Sequence, residues 1–63
     1  MNKSKIVLEA VSSFEKPESI HAVWKLVSDR ISYATFLKWC EILARDGKIN
    51  MLETRRVKLV WKK

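Results

Sequence analysis

Three helices followed by a C-terminal two-stranded hairpin, a mainly α domain of the α+β class, is the fold this sequence of 63 residues predicts. Two observations carry that reading. Apolar residues recur at helical spacing in three segments before Gly47, and from Lys48 onward they alternate. A third observation sets the scale: a chain of this length buries only about 60% of the surface its unfolded form exposes, so one domain with a thin stability margin is expected.

The first helix is predicted from about Ser4 to Phe14, with Asn2 or Ser4 as its cap and Val7, Ala10, Val11 and Phe14 as its apolar stripe. Pro17 suits the first turn of a second helix, because it has no N–H to leave unpaired there, and Glu18 complements the positive end of the helix dipole. Ser19 is a competing cap, with Ile20 then in a short extended segment. Ile20, Val23, Trp24 and Val27 share the apolar side, His21, Lys25 and Ser28 face water, and Ser28-Asp29-Arg30 makes the turn.

Ser32 caps a third helix running to about Asp46. Phe36, Cys40 and Leu43 form its stripe, widened by Trp39 and Ile42, and Gly47 can take the left-handed conformation that closes a helix. In the hairpin, Ile49 and Met51 are expected to face inward on one strand, and Val57, Leu59 and Trp61 on the other, with Lys58, Val60 and Lys62 outward. Leu52 to Arg56 is the connecting loop. Without an Asn-Gly or Asp-Gly pair, a tip longer than two residues is expected.

Composition narrows the function. At 48% hydrophobic, with one Gly and one Pro, the chain is too apolar for a disordered tail. No apolar run approaches the roughly 20 residues of a membrane-spanning helix, and no signal-peptide pattern opens the chain, so a soluble protein of the reducing cytoplasm is expected. One Cys and one His are too few for a Cys/His zinc site or an internal disulfide, and neither a metal nor a cofactor is expected. The net charge of +6 is uneven: residues 1–31 hold five Lys/Arg and four acids (+1), residues 32–63 eight and three (+5). Basic surface attracts phosphate polymers, and the asymmetry places that attraction in the second half. The alternative is a solvated surface that keeps a small protein soluble.

The order of elements, with the segment Ile31-Ser32-Tyr33-Ala34-Thr35-Phe36 and then Cys40, Leu43, Gly47 and Ile49, resembles the winged helix-turn-helix family of DNA-binding domains. The shared pattern is a small polar cap, a Thr before an apolar residue, further apolar positions four and seven later, and Gly-x-apolar leading into the hairpin, or wing. The resemblance spans about Ile6 to Trp61. It implies a third helix that enters the major groove and a wing that rests on the backbone or minor groove, in a small transcriptional regulator. By position it assigns Ser32, Tyr33, Thr35 and Lys38 to the groove-facing side of the helix and Arg55 and Arg56 to the wing tip. The chain departs from the family in having no Gly in the turn before the third helix. It also has Leu37 where a polar groove-facing residue is common.

The residues themselves support parts of this. Arg55 and Arg56 carry guanidinium forks that suit phosphate oxygens and a narrow minor groove, with Lys58, Lys62 and Lys63 nearby. The alternative is that hairpin tips are simply polar. Tyr33, Thr35 and Lys38 can reach phosphates, but with no Asn, Gln or Arg among them for bidentate base reading, modest sequence discrimination is expected. Leu37 can meet a thymine methyl or a protein partner. Trp24, Trp39 and Trp61 read as core anchors in preference to a stacking platform. Cys40 in mid-stripe with His21 invites a nucleophile–base pairing, but buried thiols there are usually inert and no third residue orients His21, so no enzymatic activity is expected. Double-stranded DNA is the expected partner. RNA or a protein partner are the alternatives, and a homodimer through the first helix has no support in the sequence.

Overall fold

The computed structural model describes residues 2–63, and among them three helices pack on a three-stranded antiparallel sheet. The order is α1 (Lys3–Ser12), β1 (Glu18–Ser19), α2 (Ile20–Trp24), α3 (Tyr33–Arg45), β2 (Ile49–Glu53) and β3 (Lys58–Lys62), with α2 tightening into a 3₁₀ turn at Lys25–Val27.

Side-chain caps set where each helix begins. Asn2 Oδ1 accepts the Ser4 and Lys5 amides at 3.0 and 3.4 Å, closing the open end of α1. Ser32 Oγ accepts the Thr35 amide at 3.3 Å and starts α3 where the sequence predicts. At α2 the competing cap is the one used: Ser19 is extended and its Oγ accepts the Ala22 amide at 3.2 Å. Pro17 therefore lies outside α2 and directly precedes β1, and Ile20 is helical, not extended. α1 stops at Ser12, so Phe14 packs against the core from the following turn.

The sheet corrects the sequence reading in two ways. It has three strands, in the order β1-β3-β2, where a two-stranded hairpin was expected. Glu18 pairs with Val60 and Ser19 with Leu59, and the Lys62 amide donates to the Phe14 carbonyl at 2.7 Å. A two-residue strand leaves no periodicity to read, which is why it is invisible in the sequence. The second correction concerns the phase of β3. Val60 is fully buried, whereas Leu59 and Trp61 are half-buried and Val57 is 37% exposed in the connecting loop. Counting large apolar side chains favours the Val57-Leu59-Trp61 face. Only the middle of β3 lies beneath the helices, however, so one valine there outweighs them. Lys58 and Lys62 share its face but sit at the strand ends, opposite Glu53 and Ile49. Leu59 and Trp61 pair with Leu52 and Asn50 on the outer face. Trp61 is thus not a core anchor, while Trp24 and Trp39 do pack against the core.

That core is built from Val7 and Val11 of α1, Ile20 and Val23 of α2, Phe36 and Cys40 of α3, Ile49 and Val60, with Ile31 from the turn between α2 and α3. The turn is pinned from both sides. The Arg30 and Ile31 amides donate to the Val27 carbonyl at 2.9 and 3.1 Å, and the Trp24 indole N–H donates to the Ile31 carbonyl at 2.8 Å. Trp24 thereby packs its half-buried ring against the core while its polar edge is satisfied.

Gly47 closes α3 at φ +75°. Its amide donates to the Ala44 carbonyl at 3.1 Å and the Lys48 amide to the Leu43 carbonyl at 2.9 Å, the paired bonds of a Schellman motif. A Cβ at Gly47 would meet only Lys63 Nζ, at 3.5 Å, so the backbone conformation and not crowding demands glycine.

Two predictions test these assignments by denaturant unfolding. Gly47→Ala is expected to cost about 1–2 kcal/mol, the strain of a side chain in the left-handed region. Val60→Ala is expected to cost roughly 2 kcal/mol or more and Leu59→Ala less than about 1 kcal/mol. The reverse ranking would restore the opposite strand phase.

Candidate functional site

Thr54 builds the tip of the β2–β3 hairpin. The ladder runs as far as Glu53 opposite Lys58, so the loop is Thr54 to Val57 and does not begin at Leu52. The Thr54 amide and hydroxyl both donate to the Val57 carbonyl, at 2.8 and 2.9 Å. In return Thr54 Oγ1 accepts the Arg56 and Val57 amides at 3.3 and 3.0 Å. No described residue other than Gly47 has a positive φ, so Arg55 and Arg56 sit in a turn that needs neither Gly nor Asn. A threonine able to brace its own turn is the sequence signal for this tip.

This bracing presents the two guanidiniums at the exposed end of the hairpin. Neither has an acidic partner among the described residues. Lys58 does: its Nζ lies 3.7 Å from Glu53 Oε1, a contact between a half-buried lysine and an exposed carboxylate at the protein surface that adds little to stability. Lys58 is half-buried, so it is less available than the two arginines.

The other predicted residues lie along α3. Ser32 and Lys38 are exposed, and Thr35 is half-buried. The Ser32 hydroxyl donates to Thr35 Oγ1 at 3.0 Å, which occupies it and leaves the Thr35 O–H free to donate outward. Leu37 is half-buried and packs against the core, so it is only partly available to a partner. Tyr33 is half-buried, with its ring centroid 5.5 Å from both Trp24 (edge-on, 81°) and His21 (tilted, 52°). His21 and Trp24 are 5.3 Å apart, which completes a three-ring cluster.

The fold brings some of these residues together and leaves others apart. A cleft of about 400 Å³ opens between the hairpin tip and the starts of α2 and α3, and Tyr33, Arg55, Arg56 and Lys58 all line it. Ser32, Thr35 and Lys38 lie outside that lining. Ser19, His21 and Val57 also line it, although the sequence marks them only as a helix cap, a water-facing residue and an inward strand residue. His21 reads as an ordinary water-facing residue until β1 fastens the start of α2 beside β3.

Cys40 and His21 lie in different surroundings. His21 is exposed beside the cleft, whereas Cys40 is fully buried in the core. Burial, with a smaller contribution from the Glu41 charge, pushes the Cys40 thiol up to about 12. Among the described residues no three His, Cys, Asp or Glu side chains lie close enough to hold a metal ion. None of the described helices is long and apolar enough to cross a membrane. No protein-family model, curated protein or solved structure matches the chain.

The raised thiol has a pH signature. Below the unfolded value near 9 the thiol is protonated in both states and its contribution is complete. Above it only the unfolded chain ionises, so stability falls until the pH passes the folded value of about 12. Between pH 9 and 10 the loss is expected to approach about 1.4 kcal/mol per pH unit. Cys40→Ala should remove that slope in urea titrations at each pH, and an unchanged slope would place its origin in other groups.

Proposed function

We propose that this protein is a winged-helix domain that binds double-stranded DNA, as a small transcriptional regulator. α3 enters the major groove through Ser32, Tyr33, Thr35 and Lys38, and the β2–β3 hairpin acts as the wing, placing Arg55, Arg56 and Lys58 on the backbone or in the minor groove. The observation that carries this reading is the shared cleft. The first turn of α3 and the basic hairpin tip meet on one side of the molecule, so one duplex can touch both.

The contact chemistry favours affinity over choice of sequence. Two unpaired arginines on a braced turn suit phosphates, whose neutralisation releases counterions regardless of sequence. On α3 the exposed groups are hydroxyls and one lysine, which can reach base edges but lack the bidentate geometry that distinguishes them. A protein-binding reading has one observation in its favour: Leu52, 49% exposed, lies beside Leu59 on the outer face of the sheet. That face is on the hairpin but is not part of the basic tip.

With about four to six phosphates neutralised, log K for a duplex is expected to fall against log salt with a slope of roughly −4 to −5. Arg55→Ala with Arg56→Ala should weaken all duplexes alike and flatten the slope by about 2. An unchanged slope would remove the wing from the interface, and absence of any shift at low salt would exclude duplex binding. Structured RNA competing better than duplex at one salt concentration would reassign the surface to RNA.

A further inference from the structure

The cleft between the hairpin tip and the starts of α2 and α3 has two kinds of wall, and a duplex backbone uses only one of them. Phosphates need the Arg55 and Arg56 guanidiniums. They have no use for the ring of Tyr33, the ring of His21 stacked obliquely on it at 5.5 Å, or the side chain of Val57. Val57 is 37% exposed and contributes nothing to the core. An apolar side chain and two aromatic rings facing a pair of cations call for a ligand that is flat and apolar on one part and anionic on another.

Size and charge narrow the ligand further. About 400 Å³ falls within the range of sites that enclose one small molecule, and is far too little for a base pair with its two strands. The ionic groups on the walls are Arg55, Arg56 and Lys58 against Glu53, and Glu53 is already matched by Lys58. The two guanidiniums are therefore left for an anion. A base with its phosphate has this combination of a π-face and a negative charge. A base inside a duplex cannot offer its face, because its neighbours are stacked on it.

We propose that this cleft takes one unpaired nucleotide of a nucleic-acid strand, its base against Tyr33 and His21 and its phosphate between Arg55 and Arg56. The inference rests on the duplex-binding reading and adds a preference to it: for ends with an overhanging nucleotide, or junctions with an unpaired one, over continuous duplex.

Binding of the full chain by fluorescence anisotropy at one salt concentration tests this. The ligands are a duplex closed at both ends by non-nucleotide linkers, the same duplex with a one-nucleotide overhang, and that overhang with an abasic residue. The overhang is expected to bind roughly 10-fold more tightly than the closed duplex, the scale of one base stacked on an aromatic ring, and the abasic form to lose most of the gain. Tyr33→Leu, which keeps apolar packing, and His21→Ala, at an exposed position, should each bring the overhang-to-closed ratio toward one, whatever the absolute affinity. Equal affinity for overhang and closed duplex would overturn the proposal and leave the duplex reading intact. Failure to bind any of the three would overturn both. A free nucleoside monophosphate binding as tightly as the overhang would overturn the assignment to a strand and make the cleft a nucleotide site.

Discussion

The fold depends on β3 being paired along both of its edges. On one side it carries the five-residue ladder with β2, and on the other it holds Glu18, Ser19 and the Phe14 carbonyl. These pairings fix where α1 ends and α2 begins, since the chain between the two helices is stitched to the strand that comes last in the sequence. Val60 in the middle of β3 is fully buried beneath the helices, so the core and the sheet share this strand. A chain of this size has no disulfide to substitute for that junction, and its lone thiol is buried.

The candidate site is a by-product of the same junction. The cleft has one wall from the hairpin tip and another from the starts of α2 and α3. The β1–β3 pairing holds the start of α2 beside the strand that carries one side of the hairpin. The charge asymmetry of the sequence is then concentrated further by structure. Arg55 and Arg56 project from a turn closed by Thr54, and the nearby carboxylate of Glu53 is turned to Lys58 and not to either arginine. Because the turn's backbone is already hydrogen-bonded, a ligand has mainly the two arginine side chains to order.

Local chemistry was legible in the sequence, and long-range pairing was not. Asn2, Ser19 and Ser32 could be recognised as caps, and Gly47 as a helix closure, because each acts on residues within four positions of itself. The stripe of Phe36, Cys40 and Leu43 was legible for the same reason. β1 was not, since two residues have no period and their partners lie about forty positions away. The phase of β3 is not legible, because side-chain size alone does not say which part of the strand the helices cover. Among the site residues, Arg55, Arg56, Tyr33 and Lys58 do gather at one cleft. His21 joins them only through tertiary placement, whereas Val57 adjoins Arg56 and Lys58 in the chain but reads there as an inward strand residue.

The closure at Gly47 has a mechanical consequence. Lys48 is at once the residue that seals the Leu43 carbonyl and the last residue before β2, so no slack separates the axis of α3 from the hairpin. A tilt of the helix must therefore swing the tip of the ribbon with it, as one arm of a caliper moves with its pivot. The opening between helix and ribbon is set by the protein before any partner arrives.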